Sequence, residues 1–89
     1  NESYDNESLV HIAVLLMQSG DHELAITQLK EILYYVSPPL SDQALWYYSL
    51  ANLKIAEVEI ATENLSILCK AKNEYSDRAC ELLKLIANK

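Results

Sequence analysis

Residues 44–65 read Ala-Leu-Trp-Tyr-Tyr-Ser-Leu-Ala-Asn-Leu-Lys-Ile-Ala-Glu-Val-Glu-Ile-Ala-Thr-Glu-Asn-Leu, and their spacing decides the fold. Large Leu45 and Tyr48 stand one helical turn apart, small Ser49 follows, and Asn52 closes the set. After a break at Ala56-Glu57, Ala61 and Leu65 resume the helical period. Two stripes with a short interruption predict two helices folded back on each other. The spacing recurs upstream at Leu9, Ile12, Ala13 and Leu16, then Gly20-Asp21, then Ala25 and Leu29. It recurs downstream at Ala79, Leu82, Leu83 and Ile86, 34 residues beyond the Leu45 set. Ala25 and Ala61 lie 36 residues apart, and Pro38-Pro39 is the natural place for the extra pair.

The whole chain divides on the same logic into five helices. Asn1 to Asn6 is polar and expected to fray, with Asn6 or Ser3 as a cap. The first helix is dense in apolar residues from Glu7 to Ser19, which predicts burial on more than one face. Gly20 supplies a left-handed stop and Asp21 caps the second helix, about His22 to Val36. Ser37-Pro38-Pro39 breaks it, since Pro cannot continue the hydrogen-bond ladder. A third helix is expected from about Asp42 to Ile55. A fourth follows Glu57, with Asn73 ending it in the left-handed region, and Ser76 caps a fifth. A single glycine and two prolines in 89 residues leave too few turn residues for a strand-rich fold.

The repeated set resembles the tetratricopeptide repeat (TPR), a unit of 34 residues and two antiparallel helices. The stretch Ala44 to Leu65 also resembles repeats of Bacteroidetes proteins, where a Trp-Tyr pair precedes small and Leu residues, which implies a bacterial source. The resemblance covers about Glu7 to Lys89. It implies an all-α right-handed α-α superhelix: repeat 1 over 7–37, repeat 2 over 41–73 and a C-terminal capping helix over 76–88. Small Ala13 and Ser49 would let the first helix of each repeat approach the second, Ala25 and Ala61 would do so from the other side, and Leu29 and Leu65 would fill the seam. Leu9 stands where the family often has Trp, Asn52 replaces an aromatic, Ala56 replaces the turn glycine, and large Leu83 occupies the small position. Leu83 marks the last helix as a cap with nothing stacked on that face.

In that fold the first helix of each repeat lines a concave groove. The resemblance places Val10, Val14 and Met17 there, with His11 and Gln18, from repeat 1. Repeat 2 gives Trp46, Tyr47, Leu50 and Lys54, with Gln43 and Leu53, and the last helix gives Lys84, Cys80 and Glu81. The implied function is a protein-interaction or scaffolding module that binds a peptide or protein partner through an apolar groove, without catalysis. The alternative is a self-associating homodimeric domain of a larger, membrane-anchored bacterial protein. The groove lacks the Lys/Asn/Arg set by which some family members clamp a peptide carboxylate. Trp46 also reads as a core aromatic, and Tyr34, Tyr35, Tyr47 and Tyr48 as half-buried with wet hydroxyls.

Composition excludes more than it assigns. Seven Lys and Arg against thirteen Asp and Glu give a net charge of −6, which disfavours nucleic acid and anionic membrane. The apolar run from Ile12 to Met17 is far too short to span a bilayer. The chain begins with Asn rather than Met, so it is expected to derive from a longer protein. Compartment stays open between bacterial cytoplasm and periplasm. Cys69 and Cys80 read as buried free thiols, with a bridge between neighbouring helices as the alternative. Those two with His11 and His22 show no metal-ligand spacing, and no nucleophile stands beside a base, so no metal, cofactor or enzyme is expected. Asn1, Asn6 and Asn64 each begin an Asn-x-Ser triplet, the last within a helix, where glycosylation is not expected.

Overall fold

The computed structural model describes residues 6–35 and 40–88, and the side chains within them from residue 7 and from residue 41. These residues are all-α. The helices are α1 (Asn6–Gln18), α2 (His22–Tyr35), α3 (Leu40–Lys54), α4 (Val58–Lys70) and α5 (Ser76–Ala87). The helix break at 37–39 and the cap candidate Ser3 lie outside the described residues, while Asn6 is the first residue of α1 itself. The third helix starts two residues earlier than its sequence suggests, at Leu40 rather than Asp42.

Two turns of one design fold the first four helices into hairpins. In the first, the Asp21 amide donates to the Leu16 carbonyl at 2.8 Å and the Gly20 amide to Met17 at 3.1 Å. In the second, Glu57 donates to Asn52 at 2.8 Å and Ala56 to Leu53 at 3.1 Å. Both are Schellman closures, which satisfy carbonyls left open at a helix end. The pivot residue is left-handed each time, φ 94° at Gly20 and φ 66° at Ala56. A glycine holds that angle without cost; Ala56 holds it against a steric penalty of about 1 kcal/mol. Each next helix then begins identically, Ala25 donating to Asp21 and Ala61 to Glu57.

Between the hairpins the core is built from small-to-large contacts. Ala13, Ala25, Leu29, Ser49, Ala61 and Leu65 are all sealed from solvent. Alanine or serine at the crossing lets backbones approach, and the leucines fill the seam. Each buried leucine contributes roughly 1.5–3 kcal/mol. Ser49 is polar but satisfied, its hydroxyl donating to the Leu45 carbonyl at 2.9 Å. Buried Asn52 donates to the Tyr48 carbonyl at 2.8 Å, so its amide is absorbed by its own helix. Each helix packs on the next in the chain, and α1 also meets α3. The result is elongated, 45 × 28 × 17 Å.

The α4–α5 junction departs from the first two turns and from the sequence reading. Lys72, not Asn73, takes the left-handed angle, φ 58°. Ser76 is no cap: α5 has Tyr75 at its N-cap with no side-chain bond. The Ser76 hydroxyl instead donates to Leu68 and accepts from the Asn73 amide, both at 2.8 Å, tying the end of α4 to the start of α5. Cys69 and Cys80 are not free thiols; they form a disulfide across the two helices, with Cα atoms 4.8 Å apart. The reading as free thiols rested on the cysteines being alone in sequence. It could not see that the five-residue turn places them face to face.

The packing face also changes at α5. Ala44 and Ala51 on α3 are sealed, whereas the residues 34 further on, Arg78 and Leu85, are exposed. Buried Ala79 and Ser76 face inward instead. A closing helix carries polar residues on its outer side, yet α5 leaves Leu85 58% exposed.

Candidate interaction groove

The α1–α3 contact leaves an open groove of about 500 Å³. Its lining is Val14, Met17 and Gln18 from α1, Gly20 from the turn, His22 from α2, and Tyr47 and Lys54 from α3. Five of the sequence-nominated residues thus meet: Val14, Met17, Gln18, Tyr47 and Lys54. The apolar floor is half-buried and the Lys54 ammonium stands exposed at its edge. Gln18, His22 and Lys54 make one end polar, while Val14, Met17 and Tyr47 make the other apolar. Such a mix suits a ligand with an apolar side chain beside a polar backbone or anionic group.

The other nominated residues lie elsewhere. Val10 is buried among Ala13, Ala25 and Leu29. Trp46 is only 8% exposed, so the core reading describes it better than a ligand contact. Leu50 is half-buried in the second cluster, beside Trp46, Leu65 and Leu68. Lys84 is exposed on α5 and lines none of this groove.

His22 is the residue the sequence reading left out. It opens α2 directly after the turn, and Schellman geometry swings it back beside Met17 and Gly20. Its Nδ1 is buried with no hydrogen-bond partner. An unmet buried nitrogen costs free energy until something bonds to it. A second depression of about 480 Å³ adjoins it, lined by Gly20, Asp21, His22, Glu23, Leu24 and Ile55.

Trp46 has a different task. Its ring stacks on Tyr75, centroids 5.9 Å apart, and the Arg78 guanidinium lies 5.5 Å from the Trp46 ring and 5.3 Å from Tyr75. Tyr75 and Arg78 come from the start of α5, so this cluster fastens α5 to α3. Burial, then the hydrogen bond to Glu74 and its charge, raise the Tyr75 hydroxyl pKa above its ordinary value. Tyr34 and Tyr35, expected to be half-buried, are 82% and 75% exposed at the end of α2.

A separate apolar groove of about 410 Å³ opens between Leu53, Val58, Leu82, Leu85 and Ile86. Among the described residues, no three His, Cys, Asp or Glu side chains converge to hold a metal, and no helix is long and apolar enough to cross a membrane. Asn64 donates to the Ile60 carbonyl at 2.8 Å within α4. No protein-family model, no curated protein and no solved structure matches the chain.

Proposed function

We propose that the chain is a TPR-like interaction module that binds a peptide segment of a partner protein in the α1–α3 groove, without catalysis. The observation that carries this reading is the meeting of Val14, Met17, Tyr47 and Lys54 in one open groove. They come from the first helices of two hairpins, as a concave ligand face of stacked repeats would require. Support for the repeat itself lies in the two identical turns and the matched sealed residues Ala25/Ala61 and Leu29/Leu65. On this reading the helices wind as a right-handed superhelix, and the exposed Gln18 and Lys54 at the groove fix the bound backbone.

A peptide library selected on the full chain tests it. Selected peptides should lose at least about tenfold in affinity to Met17→Ser and Lys54→Glu variants, the loss of one or two contacts worth about 1.4 kcal/mol each. They should bind a Leu85→Ser variant normally. Peptides that ignore both groove substitutions would sink the reading.

The second reading, self-association, is favoured by one observation: the apolar groove at Leu53, Val58, Leu82, Leu85 and Ile86 is open to solvent. Large exposed apolar surfaces mark interfaces. A chain that sediments as a monomer at millimolar concentration removes this reading.

A further inference from the structure

The chain's single Trp and its two cysteines meet at the same helix, α5. The disulfide joins Cys80 of α5 to Cys69 of α4, and the Cys80 sulfur also lies 3.5 Å from the Cys69 carbonyl. Both cysteines are half-buried, so a small thiol can reach them. The rest of α5 is held on one face, where Leu82, Leu83 and Ile86 pack half-buried against the cluster of Trp46, Leu65 and Leu68. Beyond Cys80, Glu81, Lys84, Leu85 and Ala87 are exposed. Its twelve residues are too few for a helix that persists alone in water. Its fully buried attachments are all at its first turn: Tyr75 on Trp46, Ser76 on Leu68, and sealed Ala79.

We propose that Cys69–Cys80 is a redox latch: the disulfide keeps α5 docked over Trp46, and its reduction releases α5 while α1–α4 stay folded. Two chemical steps define it. In closing, the two thiols exchange with an external disulfide; the Cys69–Cys80 bond forms, the external S–S bond breaks, and two external thiols leave with the two protons. In opening, a thiolate of an external dithiol attacks one of the two sulfurs, forming a mixed disulfide and expelling the other cysteine as a thiolate; the dithiol's second thiolate then attacks the mixed disulfide, expelling the remaining cysteine, so the dithiol leaves as a disulfide and its two protons pass to Cys69 and Cys80. Release follows because the bond is what makes the docked state of a short, half-exposed helix entropically cheap. The first hairpin has no such bond and needs none: its helices are held by Ala13, Ala25 and Leu29, all sealed. The latch is independent of what occupies the α1–α3 groove.

Trp46 reports the state directly, since it is buried under Tyr75 and Arg78. The full chain is oxidised with glutathione disulfide, then compared with the same protein under a dithiol reductant and with a Cys69→Ser/Cys80→Ser variant. On reduction, Trp46 emission should move to the red and become quenchable by acrylamide. Amide-exchange protection should be lost across 76–87 and kept in α1 to α3. The double-serine variant should behave as the reduced protein and ignore the reductant. Three results overturn the proposal: two titratable thiols persisting after oxidation, unchanged protection of 76–87 on reduction, or loss of protection in all five helices together, which would make the bond a staple of the whole fold.

Discussion

The hairpins α1–α2 and α3–α4 share a hydrogen-bond skeleton but not a neighbourhood. Their turns close through the same bonds, and the same small and large residues are sealed in each. Yet among the described residues the first hairpin packs mainly on α3, whereas the second is packed on both sides, by α1 and α2 and by α5. Equal local geometry therefore does not mean equal weight in the fold. The seam of the second hairpin packs against large aromatic side chains, Trp46 and Tyr75, where the first packs against Val10, Ile32 and alanines.

The largest effect should come from the seam leucines. Leu29→Ala and Leu65→Ala each open a cavity in a sealed site, costing about 2–5 kcal/mol. The comparison predicts that Leu65→Ala costs more, because Leu65 shares its cluster with Trp46, Leu68, Tyr75 and Ala79. Denaturant midpoints at constant slope measure both. Equal midpoints would mean that the second hairpin gains nothing from α5.

Next in size is the bond that ties the second hairpin to α5 and has no counterpart at the first. Closing a loop of eleven residues removes about 3 kcal/mol of unfolded-state entropy. Cys80→Ser should lower stability by up to about that amount. Thermal unfolding with and without reductant reads it, and the substituted chain should show no further drop. Because the loop spans only α4 and α5, a local latch lowers the protection of α5 first and the global midpoint less.

How far the sequence shows this depends on the range of the interaction. The helix-turn-helix units were legible because periodicity and turn residues are local signals: Gly20, the sealed alanines and the seam leucines stand where their spacing puts them. Most of the groove was legible for the same reason, since Val14, Met17, Gln18, Tyr47 and Lys54 follow from helix faces. Trp46 reads both as a core aromatic and as a groove residue, and the core reading holds; what the sequence could not show is its cover, since Tyr75 and Arg78 arrive from about thirty residues away along the chain. His22 gave no signal, because a residue one step past a turn is steered by the turn and not by its own period. The disulfide was open only as the alternative to free thiols, and the change of face at α5 was hidden: the 34-residue spacing continues into α5, but Arg78 and Leu85, standing where α3 has Ala44 and Ala51, are too large or too charged to be sealed there and turn outward.

The smallest effect is the sharpest comparison, since it exchanges the pivots of the two turns. At Gly20 an added Cβ would meet no heavy atom within 4 Å, so Gly20→Ala changes the backbone and nothing else. At φ 94° an L-residue pays the left-handed penalty of about 1–2 kcal/mol, offset by about 0.5–1 kcal/mol of lost unfolded-state freedom. The net is a loss of about 0.5–1 kcal/mol. Ala56 already pays that penalty at φ 66°, and its side chain is exposed, so Ala56→Gly should stabilise by a similar amount. Each shift is a few degrees in melting temperature for a chain of this size. Opposite signs would establish that the two turns are one device with different residues at the pivot. If both substitutions destabilise, Ala56 is held by a contact that Gly20 lacks, and the equivalence of the hairpins ends at their hydrogen bonds.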